Sequence, residues 1–239
     1  MPNDLVISLD AMGGDNAPEM IIRGASIARV RMPEVHYLIV GDEARIAPLL
    51  EKDPELAAVS SIRHTEELIS SGEKPAVALR SGRNSSMRLA INAVADGEAA
   101  SVVSAGNTGA LMAIAKFVLK TLPGIDRPAI TAFYPTRNGE ACMLDLGANL
   151  QCDAKNLVQF AVMGEVFART VLGIGTPTIG LLNVGVEELK GHEEIREASA
   201  ILRSTDLPGE FVGFVEGDDI AAGTVDVVVT DGFTGNVAL

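Results

Sequence analysis

One short phrase occurs twice in this chain of 239 residues, and its residue types are those that hold an anion. Val102-Val103-Ser104-Ala105-Gly106-Asn107-Thr108-Gly109-Ala110-Leu111 returns as Val228-Val229-Thr230-Asp231-Gly232-Phe233-Thr234-Gly235-Asn236-Val237. Both copies read as a buried strand, a turn of small residues and the start of a helix. The first turn of a helix has N–H groups without helical partners, and their partial positive charge attracts an anion. Glycine lets backbone approach a ligand closely, and threonine adds a hydroxyl donor. Gly106, Asn107, Thr108 and Gly109, with Asp231, Gly232, Thr234 and Gly235, are therefore candidate phosphate- or substrate-binding residues. A plain βα turn uses the same residue types, so the duplication at matched strand ends carries the weight.

Two more loops join them. Asp10-Ala11-Met12-Gly13-Gly14-Asp15 follows the first strand; Gly13 and Gly14 free the backbone, and Asp10 can orient a lysine or accept hydroxyls. Two carboxylates without a third ligand do not make a metal site, so no metal is expected. Lys190, in Gly185-Val186-Glu187-Glu188-Leu189-Lys190-Gly191-His192, follows another strand, where a lysine can hold phosphate as a point charge or simply be solvated. His192 stands alone, and His36 and His64 fall in strand-like segments with structural roles. There is no Gly-x-Gly-x-x-Gly, no phosphate-binding Walker loop, no Gly-x-Ser-x-Gly and no Cys–His pairing. That argues against a dinucleotide, a covalent nucleophile or any other cofactor. It favours a reaction between two bound substrates.

The elements that must carry these loops alternate between strand and helix. Strands are expected at 5–9, 35–40, 60–63, 101–104, 178–184, 211–215 and 225–230. Helices are expected after Pro18, after Asn84, over 107–120, 154–171 and 193–202. Asn138-Gly139, between apolar runs at 129–134 and 141–146, predicts an antiparallel hairpin. The pattern predicts a three-layer α/β/α fold with a large mixed, mostly parallel sheet. Strand 225–230 needs a covering helix, so the natural chain is expected to continue past Leu239.

Composition narrows the function classes. The net charge of −13 gives no global attraction for nucleic acid or anionic lipid. One local run opposes that balance: Lys74, Arg80, Arg83 and Arg88 against the single acid Glu73. It reads either as a solvated helical face or as a docking patch for an acidic partner. The longest apolar stretch, 110–119, is broken by Lys116 and too short to span a bilayer. Cys142 and Cys152 lack metal spacing and read as reduced thiols of a cytoplasmic protein. Hydrophobic residues make up 47% but aromatics only 4%, so the core must be aliphatic.

In order along the chain, Asp10-Ala11-Met12-Gly13-Gly14-Asp15, Ser104-Ala105-Gly106-Asn107-Thr108-Gly109-Ala110, Leu144-Asp145-Leu146-Gly147-Ala148-Asn149, Leu181-Leu182-Asn183-Val184-Gly185 and Asp231-Gly232-Phe233-Thr234-Gly235-Asn236-Val237 resemble the bacterial phosphate acyltransferase (PlsX) family. The resemblance implies transfer of a fatty acyl group from acyl carrier protein to inorganic phosphate, giving acyl phosphate for phospholipid synthesis. It implies the fold of phosphotransacetylases and isocitrate/isopropylmalate dehydrogenases, as one domain, 1–239, of two pseudo-symmetric intertwined halves. It implies Lys190 and Asn236 as catalytic residues and gives His192 no role. It also implies a homodimer, associated peripherally with membrane through a C-terminal part beyond residue 239. Lys74, Arg80, Arg83 and Arg88 become the expected docking patch for acyl carrier protein. Two alternatives stand beside this: a phosphotransacetylase-like enzyme using short acyl-CoA, and a non-catalytic scaffold for lipid-synthesis enzymes.

Overall fold

The computed structural model describes residues 5–239, which divide into two compact units, one ending at Lys120 and one beginning at Thr121.

The first unit contains β1 (Leu5–Asp10), α1 (Glu19–Arg31), β2 (Val35–Gly41), α2 (Glu43–Leu50), α3 (Pro54–Ala57), β3 (Ser60–His64), α4 (Pro75–Ser81), α5 (Ser86–Ala95), β4 (Ser101–Val103) and α6 (Thr108–Leu119). Its four strands lie in the order β3-β2-β1-β4, every pair parallel. Side chains alternate across a strand, which splits the apolar residues between two faces. Leu9, Tyr37 and Ile39 pack under Ile22 of α1, Ile46 of α2 and Leu56 of α3. Leu38 and Val40 pack on the other face against Ala90 and Ala93 of α5. Met87, Ile91, Ala110 and Ile114 join α4, α5 and α6 in a third cluster. Helices α2, α3, α5 and α6 start where a side chain accepts a first-turn N–H, from Asp42, Asp53, Ser85 and Asn107 in turn.

The second unit contains β5 (Thr131–Thr136), β6 (Gly139–Leu144), α7 (Ala154–Val171), β7 (Thr178–Leu182), α8 (Glu193–Ser204), β8 (Glu210–Val215), α9 (Gly217–Ala222), β9 (Val227–Val229) and α10 (Gly232–Ala238). The sheet order is β5-β6-β9-β7-β8; only β5–β6 is antiparallel. One face, with Leu144, Ile179, Leu181, Val227 and Val229, packs on Phe160 and Ala161 of α7 and Leu202 of α8. The other, with Met143, Val215 and Val228, packs on Ile220 of α9.

The layered α/β plan and the mostly parallel pairing are those the alternation predicts. The strands, however, gather into two sheets, one in each unit. β5 closes an edge of its sheet, and Pro135 within it has no N–H to offer a further strand. The hairpin is tighter than its sequence suggests: Thr136 pairs with Gly139, leaving only Arg137 and Asn138 in the turn. Helix α9 was not expected. A capping box, Glu216 with Asp219, starts it on a segment too short and too acidic to show a helical period.

Candidate active site

In the first unit the candidate residues converge on the buried carboxylate of Asp10, 1% exposed at the end of β1. It accepts from the hydroxyls of Ser86 at 2.6 Å and Ser104 at 2.7 Å, and from the N–H of Met12 at 3.3 Å. Ser104 Oγ in turn accepts from the N–H of Gly106 at 3.1 Å. One carboxylate thus binds the first loop, the start of α5 and the Gly106–Gly109 turn. Gly13 has to be glycine here. A Cβ on it would lie 2.6 Å from Asp10 Oδ2 and 2.8 Å from the Gly106 nitrogen. At Gly14, beside it, φ is +102° and a Cβ would lie 3.2 Å from the carbonyl oxygen of Ala105.

Asn107 holds the turn from its other side. Its Oδ1 caps α6 by accepting from Ala110 N–H at 3.0 Å. Its Nδ2 donates to the carbonyls of Ser70, Ser71 and Glu73, at 3.3, 2.9 and 2.8 Å. Asn107 is therefore committed to positioning, and the N–H groups of Thr108 and Gly109 remain for a ligand. Among the described residues neither has a protein partner. The cap is a neutral amide, so the capping side chain itself adds no negative charge to this helix end.

The second unit repeats the device with a residue that sequence reasoning did not single out as a site. Asp145, fully buried at the end of β6, accepts from the N–H groups of Ile130, Gly147, Ala148 and Asn149 and from the Asn149 side chain. Gly232 presses against it, a Cβ there falling 2.9 Å from Asp145 Oδ2. The Gly232 N–H donates to the Asn149 carbonyl at 2.8 Å. The signal was present in the sequence: Leu144-Asp145 ends an apolar strand as Leu9-Asp10 does.

The second turn differs in electrostatics from the first. Asp231 caps α10 and accepts from both the N–H and the hydroxyl of Thr234, at 2.9 and 2.7 Å. The Thr234 hydroxyl is thus engaged, and a carboxylate stands where the first turn has an amide. Of the two turns, the one at Gly106–Gly109 is the better made for an anion. Asn236, one turn into α10, keeps its amide near the surface and donates to the Leu146 carbonyl at 3.3 Å.

Lys190 sits in a separate loop built on Asn183. Asn183 Nδ2 donates to the carbonyls of Gly185 and Lys190, at 3.0 and 3.1 Å. The Lys190 side chain is exposed, and among the described residues its ammonium has no partner. His192 caps α8 without a side-chain hydrogen bond. His64 is structural: its Nδ1 accepts from the N–H of Glu43 at 3.2 Å. Among the described residues no group of three metal-ligating side chains occurs, and no helix is long and apolar enough to cross a membrane.

Comparison with known proteins decides the family. Residues 5–239 match the model of a family described as "Fatty acid synthesis protein". The chain is 70% identical over 239 residues to a protein of Rhodospirillum centenum named phosphate acyltransferase, covering all of this chain and 67% of that protein. It is 61% identical to the phosphate acyltransferase of Rhodospirillum rubrum, covering 68% of it. The chain belongs to this family. A phosphotransacetylase from Streptococcus pyogenes shares the fold, with TM-score 0.74 at 19% identity over 99% of this chain and 80% of its own.

In this family member the basic run is also assembled. Arg80, Arg83 and Arg88 line one cavity of about 420 Å³ with Leu79, Asn92 and Phe117. Lys74 stands apart from that lining, at the start of α4.

Proposed function

We propose that the acyl donor of this acyltransferase is an acyl group carried as a thioester on acyl carrier protein, with inorganic phosphate as the acceptor and acyl phosphate as the product. The high identity to proteins named phosphate acyltransferase along the whole chain supports transfer to phosphate. The observation that carries the phosphate site is the first turn, with free N–H groups on Thr108 and Gly109 over a neutral cap.

Phosphate is anionic at neutral pH and needs holding more than activating. Fixing it beside a thioester carbonyl removes much of the entropic barrier. Its oxygen attacks the carbonyl carbon, the tetrahedral oxyanion collapses, and the C–S bond breaks. Lys190 is assigned to phosphate as a point charge, and the Asn236 amide to the oxyanion. The thiol leaves readily, with a pKa of about 8.5 for the simple cysteine thiol, so no general acid of a triad is required. Asp10 and Asp145 position the turns and touch neither substrate.

Thiol release and acyl phosphate are followed together in the full-length protein, with palmitoyl-acyl carrier protein, with and without phosphate. Phosphate-dependent release matched by acyl phosphate is the expected result. Lys190→Ala and Asn236→Ala should each lower turnover roughly 100-fold or more, the usual loss for a transition-state donor. Near-normal turnover in either variant removes that residue from the chemistry. Release only from short acyl-CoA would replace the donor.

The two units are proposed as halves of one duplicated plan, supported by the paired Asp10 and Asp145 hubs. A homodimer is proposed with it, to be read from sedimentation equilibrium.

A further inference from the structure

We propose that the cavity lined by Arg80, Arg83, Arg88 and Phe117 seats the phosphodiester of the donor's pantetheine arm, an inference that rests on the donor proposed above. The cavity holds three guanidiniums on a chain whose net charge is −13. Among the described residues none of them pairs with a carboxylate. Two are fixed in place. Arg88 donates from Nε to Asn92 Oδ1 at 3.1 Å and lies 5.5 Å over the Phe117 ring. Arg80 donates from Nε to the Ala76 carbonyl at 3.1 Å. Their remaining N–H groups form a fork suited to phosphate oxygens.

The cavity also has an apolar wall. Phe117 is 61% exposed, and Leu79 stands beside it. That combination suits a phosphate attached to a branched aliphatic group, as in pantetheine, better than a bare carboxylate of an acidic helix.

Distance favours the same ligand. Phe117 and Thr108 lie nine residues apart on α6, about 14 Å along the axis at 1.5 Å per residue. A pantetheine arm has about 13 bonds from phosphorus to sulfur. At the roughly 1.2 Å advance per bond of an extended peptide chain it reaches on the order of 16 Å. With its phosphate in the arginine cavity, the arm delivers the thioester to the turn at the head of the same helix.

The test is calorimetric binding of 4′-phosphopantetheine and of pantetheine to the full-length protein, alongside Arg83→Ala, Arg88→Gln and Phe117→Ala. The expected result is binding of phosphopantetheine and roughly tenfold or weaker binding of pantetheine, a difference that shrinks toward unity in both arginine variants. Arg83 is exposed, so its substitution leaves the fold intact and keeps the result interpretable if Arg88→Gln does not fold. Equal affinity for the two ligands overturns the proposal. So does coenzyme A binding whose strength survives both substitutions, since its phosphate would then be held elsewhere. If Phe117→Ala leaves phosphopantetheine binding intact and instead changes the sedimentation coefficient, the face is a subunit contact and the proposal is wrong. Phosphate-discriminating binding without any acyl transfer would strike the donor reading and leave the cavity. Acyl transfer without such binding would do the reverse.

Discussion

At the residue scale, each unit hangs its loops on one strand-end aspartate, Asp10 in the first and Asp145 in the second. Asp145 takes four backbone N–H groups and one amide, a set that only an ionised carboxylate satisfies fully. Replacing it by Asn keeps the volume but puts an NH₂ against donors. Asp145→Asn should cost about 2–4 kcal/mol in urea denaturation, since buried donors go unmet. Asp10 faces two hydroxyls instead, which can turn their protons away, so Asp10→Asn should cost less, about 1–2 kcal/mol. Equal losses would mean that the two hubs are not distinguished by their donors. Cys152 belongs to the same neighbourhood, its Sγ 3.5 Å from the Asn149 carbonyl. Burial pushes its thiol up to about 11, with the nearby Asp145 and Asp231 carboxylates adding to the rise. The folded state therefore keeps its proton where the unfolded chain loses it. The stability this supplies is whole below the ordinary thiol value of 9.0 and is lost as pH climbs from there toward 11. Alkylation of the native protein by iodoacetamide should be slow at pH 8 and still accelerating above pH 10. A rate that levels off near pH 9 would contradict the assignment.

At the element scale, α6 does most to join structure to chemistry. Asn107 caps it, the open N–H groups head it, and Phe117 closes the arginine cavity near its far end. Asn107→Ala removes the cap and three donations to the 70–73 segment at once. It should raise the KM for phosphate while costing about 1–2 kcal/mol of stability, the range for a lost cap. An unchanged KM would show that the turn keeps its shape without the amide, and would weaken its claim to phosphate. The start of α6 was legible from sequence because Gly-Asn-Thr-Gly after a β-branched run has few other uses. The hub role of Asp10 was half legible: its loop stood out, but Ser86 lies 76 residues away and no local pattern links them. Asp145 was passed over because five partners gathered by a fold leave no spacing signature. The arginine cavity was visible as a charge run, yet Phe117 of its apolar wall comes from α6, distant in sequence from Arg80 and Arg83. Helix α9 and the split into two sheets hinge on a capping box and on strand edges, which hydrophobic period does not report.

At the scale of the whole molecule, the charge balance would govern how the proposed donor, borne on an acidic carrier protein, approaches. The chain at −13 repels such a partner over distances where the local arginines are not yet felt. Salt screens these two terms at different ranges. The Debye length falls from about 30 Å at 0.01 M ionic strength to about 10 Å at 0.1 M, which removes the long-range repulsion first. Contacts of a few ångströms between guanidinium and phosphate or carboxylate weaken only at higher salt. The KM for acyl carrier protein should therefore fall as salt rises from 0.01 to about 0.1 M, and rise again toward 1 M. Reversing charge with Arg80→Glu and Arg83→Glu should raise the KM at every salt and abolish the upper rise, leaving the KM for phosphate unaltered. A KM for the carrier that climbs steadily from the lowest salt would mean that attraction dominates at all ranges. The basic face would then have to extend well beyond these arginines, and the narrow seat argued for the donor's arm would not be what brings the carrier in.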